Sequence, residues 1–525
     1  MSRLRALPLA AALVALALAL PACSAKVNST AWAALEDNLS VSFAGNLTCC
    51  ERLAAINFTS NLPIVIFDTG DEAVGNHEAT AARVCLCPNG WDFKAYDGYA
   101  EVSIRGSSSS KFAKSQYKLK LVDSTEKHKK NKFKWMGMPK DDSWVMYGDD
   151  MDDMTAGMRD WMAYNTARAS GRYAPRTVWS ELFVISDGEP LNYTQHYRGL
   201  YIGEEPISRG KNRVNVTKWN ETHPSGGYIF LSDHSHYTDS DYVTDVLPGM
   251  EYPFILKYPK SKSDGEAAAE WLSAYLKEAQ SALEDDATWL DDAAAGGYRE
   301  YFDVPSFIDF QLLVEFTKSP DGYRDSTYLH KDVDQPINAG PVWDFNEAFG
   351  ECCGFPIQGY EQNGKSGPGI AGGSAISTDG WRFMICLDQD RCVADPTDGI
   401  SFIFQRMWND TAYRVQASER WAELRAGNWS NDAILGMFDD AVSLVRDAAL
   451  RDQEHWAYTN LRSWYSTPAE QWETEIDDMR TWIEERLAWM DKALAYAGSA
   501  DYVYPGTGSL LDDVQAPSAE SPARK

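Results

Sequence analysis

The sequence predicts an α+β fold, with a mixed or antiparallel β-rich N-terminal part and a helical C-terminal part. Three observations carry this. Short segments that alternate apolar and polar residues, such as Tyr99–Ile104 and Tyr197–Ile202, recur through the first half of the chain. From Phe402 onward apolar residues return at helical spacing, ending in the stripe Trp472, Ile476, Met479, Ile483, Leu487, Met490 and Leu494. Of 525 residues, 44% are hydrophobic and 19 are Trp, enough to bury a large core and incompatible with a disordered chain.

The ends of the chain bound its compartment. Arg3 and Arg5, the apolar run Ala6–Leu20 and the small residues Ala22–Ala25 make residues 1–25 a secretory signal peptide. A lipidated bacterial precursor anchored at Cys23 is the alternative, and Pro21 fits it poorly. No later stretch approaches the ~18 apolar residues of a membrane span, and residues 501–525 read as a disordered tail. Eight further cysteines (Cys49, Cys50, Cys85, Cys87, Cys352, Cys353, Cys386 and Cys392) imply disulfides in an exported chain and leave their pairing open. Asn-x-Ser/Thr acceptors at Asn28, Asn38, Asn46, Asn57, Asn192, Asn215, Asn220, Asn409 and Asn428 add a glycosylating pathway. The expected protein is therefore secreted. A net charge of −28 argues against nucleic acid as a partner. Any nucleotide site must gather its positive charge locally.

Taken in order, residues 26–60 carry four of the acceptors and Cys49-Cys50, and read as a glycosylated lead-in. Leu62–Phe67 is the first strand, Cys85 and Cys87 share one face of a second, and Tyr99–Ile104 is a third. Arg105-Gly106-Ser107-Ser108-Ser109-Ser110 is then a loop of small residues, with Lys114 and Lys118 on the strand that follows. Such a loop lets backbone N–H groups and hydroxyls approach phosphates while a lysine neutralises them. Lys114 is the first choice for that lysine and Lys118 the second; plain strand lysines after a Ser-rich hairpin are the ordinary alternative. Lys127–Lys134 reads as a solvated basic loop, and Asp149–Asp153 as the acidic start of a helix reaching about Ser170. Arg176–Ile185 pairs with Tyr197–Ile202, strands follow at Gly226–Leu231 and Pro253–Pro259, and Asp264–Leu283 is an amphipathic helix.

The chain is organised around Glu315–Gly350. An apolar helix-like run (Phe307, Phe310, Leu312, Leu313, Phe316) ends in the turn Pro320-Asp321-Gly322. Ser326–Lys331 alternates like a strand, and Asp344 follows within Gly340-Pro341-Val342-Trp343-Asp344-Phe345, an apolar run where a charge is costly without a cation or hydrogen bonds. A turn Asp, a hairpin and an Asp-Phe-Asn, with the two carboxylates 23 residues apart, is the layout of a protein kinase. A helix-capping Asp and a satisfied buried Asp would give the same pattern.

The wording of several stretches resembles the CotH family, secreted kinase-like proteins first known from spore coats. The stretches are DGY, STYL and GPVWDFN-x-AFG in the centre, RGSSSSKFAKSQYK before it, the helix around Arg159 and Tyr164, and GLYIGEEPI ending near Arg213-Val214. The resemblance covers roughly Leu62–Leu494. It implies an atypical kinase-like domain over 61–500, with an N-lobe over about 61–260, a C-lobe over about 261–500 and a Cys-rich insertion over about 351–395. It implies Asp321 as catalytic residue, Asp344 with Asn346 as ligands of Mg²⁺ or Mn²⁺, and Arg105, Ser107, Ser108, Ser109, Lys114 and Lys118 around ATP. Glu205 falls at the family's Glu, where a kinase pairs its phosphate lysine. The expected activity is phosphorylation of Ser/Thr on secreted or surface proteins. Ser319, Ser326 and Asn346 depart from some members, so a catalytically inactive adhesin or coat protein, or another ATP-dependent transfer, is the alternative; HRD and the Ala-Ile-Lys strand are absent.

Overall fold

The computed structural model describes residues 27–40, 43, 46–107, 109–127, 129–149, 154–233, 241–260, 264–351, 377–383 and 399–503. Its mixed α and β content matches the predicted class. The N-terminal part is a closed barrel of seven strands in the order β1-β2-β3-β4-β5-β7-β6. The strands are β1 Ile64–Asp68, β2 Thr80–Cys87, β3 Tyr96–Arg105, β4 Gln116–Val122, β5 Ser143–Tyr147, β6 Thr177–Ile185 and β7 Tyr197–Glu204. All pairs are antiparallel except β1 with β6, which closes the barrel in parallel. Alternation decides what fills it: Tyr117, Leu119 and Leu121 of β4 point inward with Val65, Phe67, Val84, Val102, Trp144 and Leu182. Gln116, Lys118 and Lys120 consequently point outward.

Residues before the barrel fold onto it. Helix α1 (Ser29–Asn38), capped by the Asn28 side chain, lays Trp32 and Leu35 against Tyr99 and Val122. Helix α2 (Cys49–Ala55) opens with a Thr48/Glu51 capping box and is stapled to β2 by Cys49–Cys85 and Cys50–Cys87. The adjacent cysteines of the helix thus meet the two same-face cysteines of the strand. Cys23, Cys352, Cys353, Cys386 and Cys392 lie outside the described residues.

Helix α3 (Met158–Ala169) bridges β5 and β6, and a single turn, α4 (Tyr193–His196), precedes β7. Two expectations change here. The helix of residues 149–170 begins only at Met158 after Gly157, and Asp149 is buried in an ion pair instead of starting the helix. Asp150–Asp153 lie outside the described residues. Strands β8 (Tyr228–Ser232) and β9 (Ile255–Tyr258) join the hairpin β10 (Thr327–Lys331) and β11 (Ile337–Ala339) in a second sheet, ordered β11-β10-β8-β9, and not the barrel.

The remaining described elements are helical: α5 (Gly265–Glu284), α6 (Val304–Thr317), α7 (Ser401–Trp408), α8 (Thr411–Arg425), α9 (Asn431–His455), the single turn α10 (Ala457–Asn460) and α11 (Pro468–Ala497). The start of α11 follows the sequence, with Thr467 accepting from the Glu470 N–H and Pro468 in the first turn. Helix α6 is buried nearly all round. It lies in a core that also takes Val145, Tyr147, Leu200 and Ile202 from the outer barrel wall. That wall is therefore the barrel face turned toward the helical part.

Candidate active site

Two carboxylates are brought together by three devices. First, α6 fixes the turn that follows it. Asp303 caps its start and accepts the Ser306 N–H at 2.9 Å, and Lys318 ends it with φ 49° in the left-handed region. Ser319-Pro320-Asp321 then turns, with Gly322 N–H on Ser319 O and the Arg324 and Asp325 N–H groups on Asp321 O, each at 3.0 Å. Arg382 grips this turn from a distant segment, donating to Ser319 O (2.9 Å) and Pro320 O. The Arg382 and Phe383 N–H groups both end on the buried carboxylate of Glu315.

Second, the hairpin returns the chain, and α3 holds the second acid. Asp344 has φ 66°. Its N–H donates to the Tyr164 hydroxyl at 2.9 Å, and the Phe345 N–H donates to Asp160 at 2.6 Å. Arg159 donates to Ala348 O (2.8 Å) and pairs with Glu351 (3.2 Å). The apolar run around Asp344 suggested a buried charge. The left-handed backbone instead turns the carboxylate out, and Asp344 is exposed while Val342 and Phe345 are buried. Third, the Ser326 hydroxyl donates to Asp344 Oδ2 at 3.1 Å, tying the end of the Asp321 turn to the second acid.

The Asp321 side chain is 35% exposed. Removal from water pushes its pKa up to about 6. Asp325 and Asp344 add to this, and Arg324 (3.7 Å) and Arg382 oppose it. Such a group is ionised at neutral pH yet binds a proton readily. Asp344, with Asn346 half-buried two residues on, offers oxygen donors of the kind Mg²⁺ takes alongside phosphates and water. Among the described residues no three His, Cys, Asp or Glu gather into a cage. One or two protein oxygens at an open cleft suit a phosphate-bridging ion better than a structural one.

Lys114, the first choice for the phosphate lysine, is already engaged by protein carboxylates. Its ammonium is wholly buried between Asp149 (2.7 Å) and Asp452 (2.8 Å), below the ring of Tyr201. Lys118 is exposed on the wall that faces the helical part, in register with Val145 of β5. Burial of its surroundings lowers its pKa, and Lys120, Lys260 and Arg105 lower it further. Arg105 reaches Gln116 at 2.6 Å and stands 5.6 Å over the ring of Trp343, the neighbour of Asp344. Gly106 follows with φ 112°, where a side chain would be strained and would strike the Ser109 hydroxyl. Ser107 is exposed and Ser109 half-buried; Ser108 lies outside the described residues.

Glu205 pairs with two arginines and with no lysine among the described residues. It is buried against Arg176 (2.8 Å) and Arg213 (3.8 Å), and accepts the Arg176 N–H at 3.1 Å. Its neighbour Glu204 has the parity of the cleft wall, in register with Val145 and hence with Lys118. Glu204 is buried, and its Oε2 has no hydrogen-bond partner among the described residues. Burial raises its pKa well above the carboxylate range, with Asp160 and Asp344 adding and Arg105 opposing.

A barrel wall carrying Arg105 and Lys118 therefore faces a turn carrying Asp321 and a loop carrying Asp344. The family model described as CotH kinase protein matches residues 102–490 of the 525. The chain belongs to the CotH kinase protein family. A search of curated proteins finds no match. The CotH match starts within β3, so β1, β2, α1 and the stapled α2 precede it. It takes in Arg105, Lys118, Glu205, Asp321, Asp344 and Asn346. Sequence reasoning missed Glu204, Glu315 and Arg382. Glu204 differs from Glu205 only by strand parity. Arg382 lies 61 residues beyond Asp321, beside the Cys-rich segment, with no local pattern pointing at the turn.

Proposed function

We propose that this CotH family member is an exported ATP-dependent protein kinase acting on Ser/Thr hydroxyls of secreted or surface proteins. The observation that carries the reading is the Asp321–Ser326–Asp344 arrangement: a proton-accepting carboxyl on a turn whose end, Ser326, donates its hydroxyl to the exposed carboxylate of Asp344, whose neighbour Trp343 lies under Arg105 of the barrel. Asp321 accepts the proton of the acceptor hydroxyl as its oxygen attacks the γ-phosphorus and the bond from that phosphorus to ADP breaks. Asp344 and Asn346 would hold Mg²⁺ or Mn²⁺, which when bound neutralises phosphate charge. Lys118 and Arg105 bind and orient the phosphates from the barrel wall. Export and glycosylation rest on the N-terminal segment and the acceptor sites; the two disulfides, and the absence among described residues of a helix long and apolar enough to cross a membrane, are compatible with them.

The test is incubation of the purified protein with γ-³²P-ATP and Mg²⁺ or Mn²⁺, alone and with a generic acidic protein, beside Asp321→Ala and Asp344→Ala. Label on protein that both substitutions abolish is the expected result. An ATP-dependent thermal shift without label on protein would replace phosphorylation by another transfer. No label and no shift would favour an adhesin on the same fold.

A further inference from the structure

Resting on the nucleotide reading above, we infer that Lys257 of β9 is a polyphosphate-binding residue that closes the phosphate site from the second sheet, opposite Arg105 and Lys118 of the barrel.

The pairing of the surrounding charges is the first ground. Five cations converge here: Arg105, Lys118 and Lys120 from the barrel, and Lys257 and Lys260 from the second sheet and the residues after it. The outer two are neutralised, Lys120 by Glu101 at 2.7 Å and Lys260 by Asp241 at 3.1 Å. Lys118 and Lys257 have no hydrogen bond or ion pair among the described residues, in a chain whose net charge is −28. Both are crowded by the same neighbours, Lys260 and Arg105, and burial lowers the pKa of each. Asp241 and Asp233 offset part of this for Lys257, and Glu101 does so for Lys118. Gathering like charges without partners costs free energy that a bound polyanion recovers.

The backbone at Lys257 is the second, independent ground. β8 and β9 pair Phe230 with Leu256 and Ile229 with Tyr258, so Lys257 is the extra residue of a bulge. A bulge breaks the alternation of a strand and re-aims the side chain it carries. Arg105 of the barrel is among the charges that act on Lys257. Arg105 in turn stands over Trp343, beside Asp344. The phosphates thus lie between the barrel pair and Lys257, on the Asp344 side.

Calorimetric titration with inorganic tripolyphosphate and with Mg-ADP tests this on wild type, Lys257→Gln and Lys257→Arg. The Gln variant is expected to bind both about 10-fold or more weaker, with the Arg variant within about 3-fold of wild type. Unchanged affinity in the Gln variant, or no binding of either probe by the wild type, overturns the inference. Amine labelling of the wild type decides the matter if the Gln variant fails to fold. Mg-ADP is expected to protect Lys118 and Lys257 while leaving Lys120 and Lys260 reactive; equal labelling of Lys257 with and without ADP refutes the assignment. Asp321→Ala separates this from the kinase reading. Lys257-dependent tripolyphosphate binding without phosphotransfer sustains the site and sinks the kinase. Asp321-dependent transfer indifferent to Lys257 does the reverse.

Discussion

Lys114 and Lys118 stand four residues apart in one segment, and their surroundings could hardly differ more. Lys114 lies between two carboxylates with its side chain wholly out of water. Lys118 is exposed on the outer barrel wall, crowded by other cations and paired with no acid among the described residues. Glu205 and Glu204 repeat the contrast among acids: one is clasped by Arg176 and Arg213, the other has an oxygen with no hydrogen-bond partner among the described residues. In both pairs the satisfied charge is bound by protein partners, Lys114 to the helical part through Asp452 and Glu205 to Arg176 and Arg213, and the unsatisfied one lies on the wall where a ligand is expected. Satisfaction by protein partners separates structural from functional charges here better than residue type does.

The contrast breaks first at the Asp pair. Asp321→Ala and Asp344→Ala are each expected to lower phosphotransfer by about 10³-fold or more, without loss of the folded state. The check is initial-rate labelling beside far-UV circular dichroism. A variant that loses activity only by unfolding would make its acid structural, like Asp149 and Asp452.

The lysines should behave in opposite ways. Lys114→Met removes the ammonium that lies between the buried carboxylates of Asp149 and Asp452, and is expected to cost about 3–5 kcal/mol in denaturant unfolding. Lys118→Met is expected to leave the unfolding midpoint nearly unchanged and to weaken Mg-ADP binding about 10-fold. Equal stability losses in the two variants would erase the distinction.

How much of this was legible in the sequence follows from which interactions are local. Most strands, the long helices from α5 on, the cap of α11 and the turn–hairpin–loop from Asp321 to Asp344 rest on short-range pattern, whereas α1 and α2 lie in what read only as a glycosylated lead-in. The engagement of Lys114 was not legible because its partner Asp452 is 338 residues away, so no local signal shows it. Lys118 sits on a strand whose alternation is plain, but closure of the barrel alone decides which polar face becomes the cleft wall. Asp344 read as buried because its neighbours are, and one left-handed residue reversed that. The disulfides were countable and their pairing was not, until α2 lay across β2.

The glutamates sharpen the comparison through pH. Glu204 in the folded state holds its proton more tightly than an unfolded Glu would, because burial and two nearby acids disfavour its charge. Below the unfolded pKa of about 4.3 both states are protonated, and Glu204 contributes no pH dependence. As pH rises above that value the unfolded state gains by ionising, so stability falls until the folded pKa is passed. Glu204→Gln should therefore raise the melting temperature at pH 8 and leave it nearly unchanged at pH 4. Glu205→Gln strips a buried carboxylate from Arg176 and Arg213, and is expected to cost about 1–3 kcal/mol at neutral pH. Melting curves of both variants at the two pH values check this, and a loss of stability on Glu204→Gln at pH 8 would mean that its carboxylate is as engaged as that of Glu205.

The smallest effect is expected at Asp321 itself, and it concerns rate. With a pKa near 6, the kcat–pH profile should carry an acid limb centred there, rising as Asp321 deprotonates. Asp325 raises that pKa and Arg324 lowers it, so Asp325→Asn should move the limb to lower pH and Arg324→Gln to higher pH, each by less than about one unit. Arg324 binds Asp325 at 2.7 Å, which couples the two changes, and the double substitution should bring the limb back toward its wild-type position. A limb that stays near pH 6 in both single variants would take the proton-accepting role away from Asp321, even where Asp321→Ala is inactive.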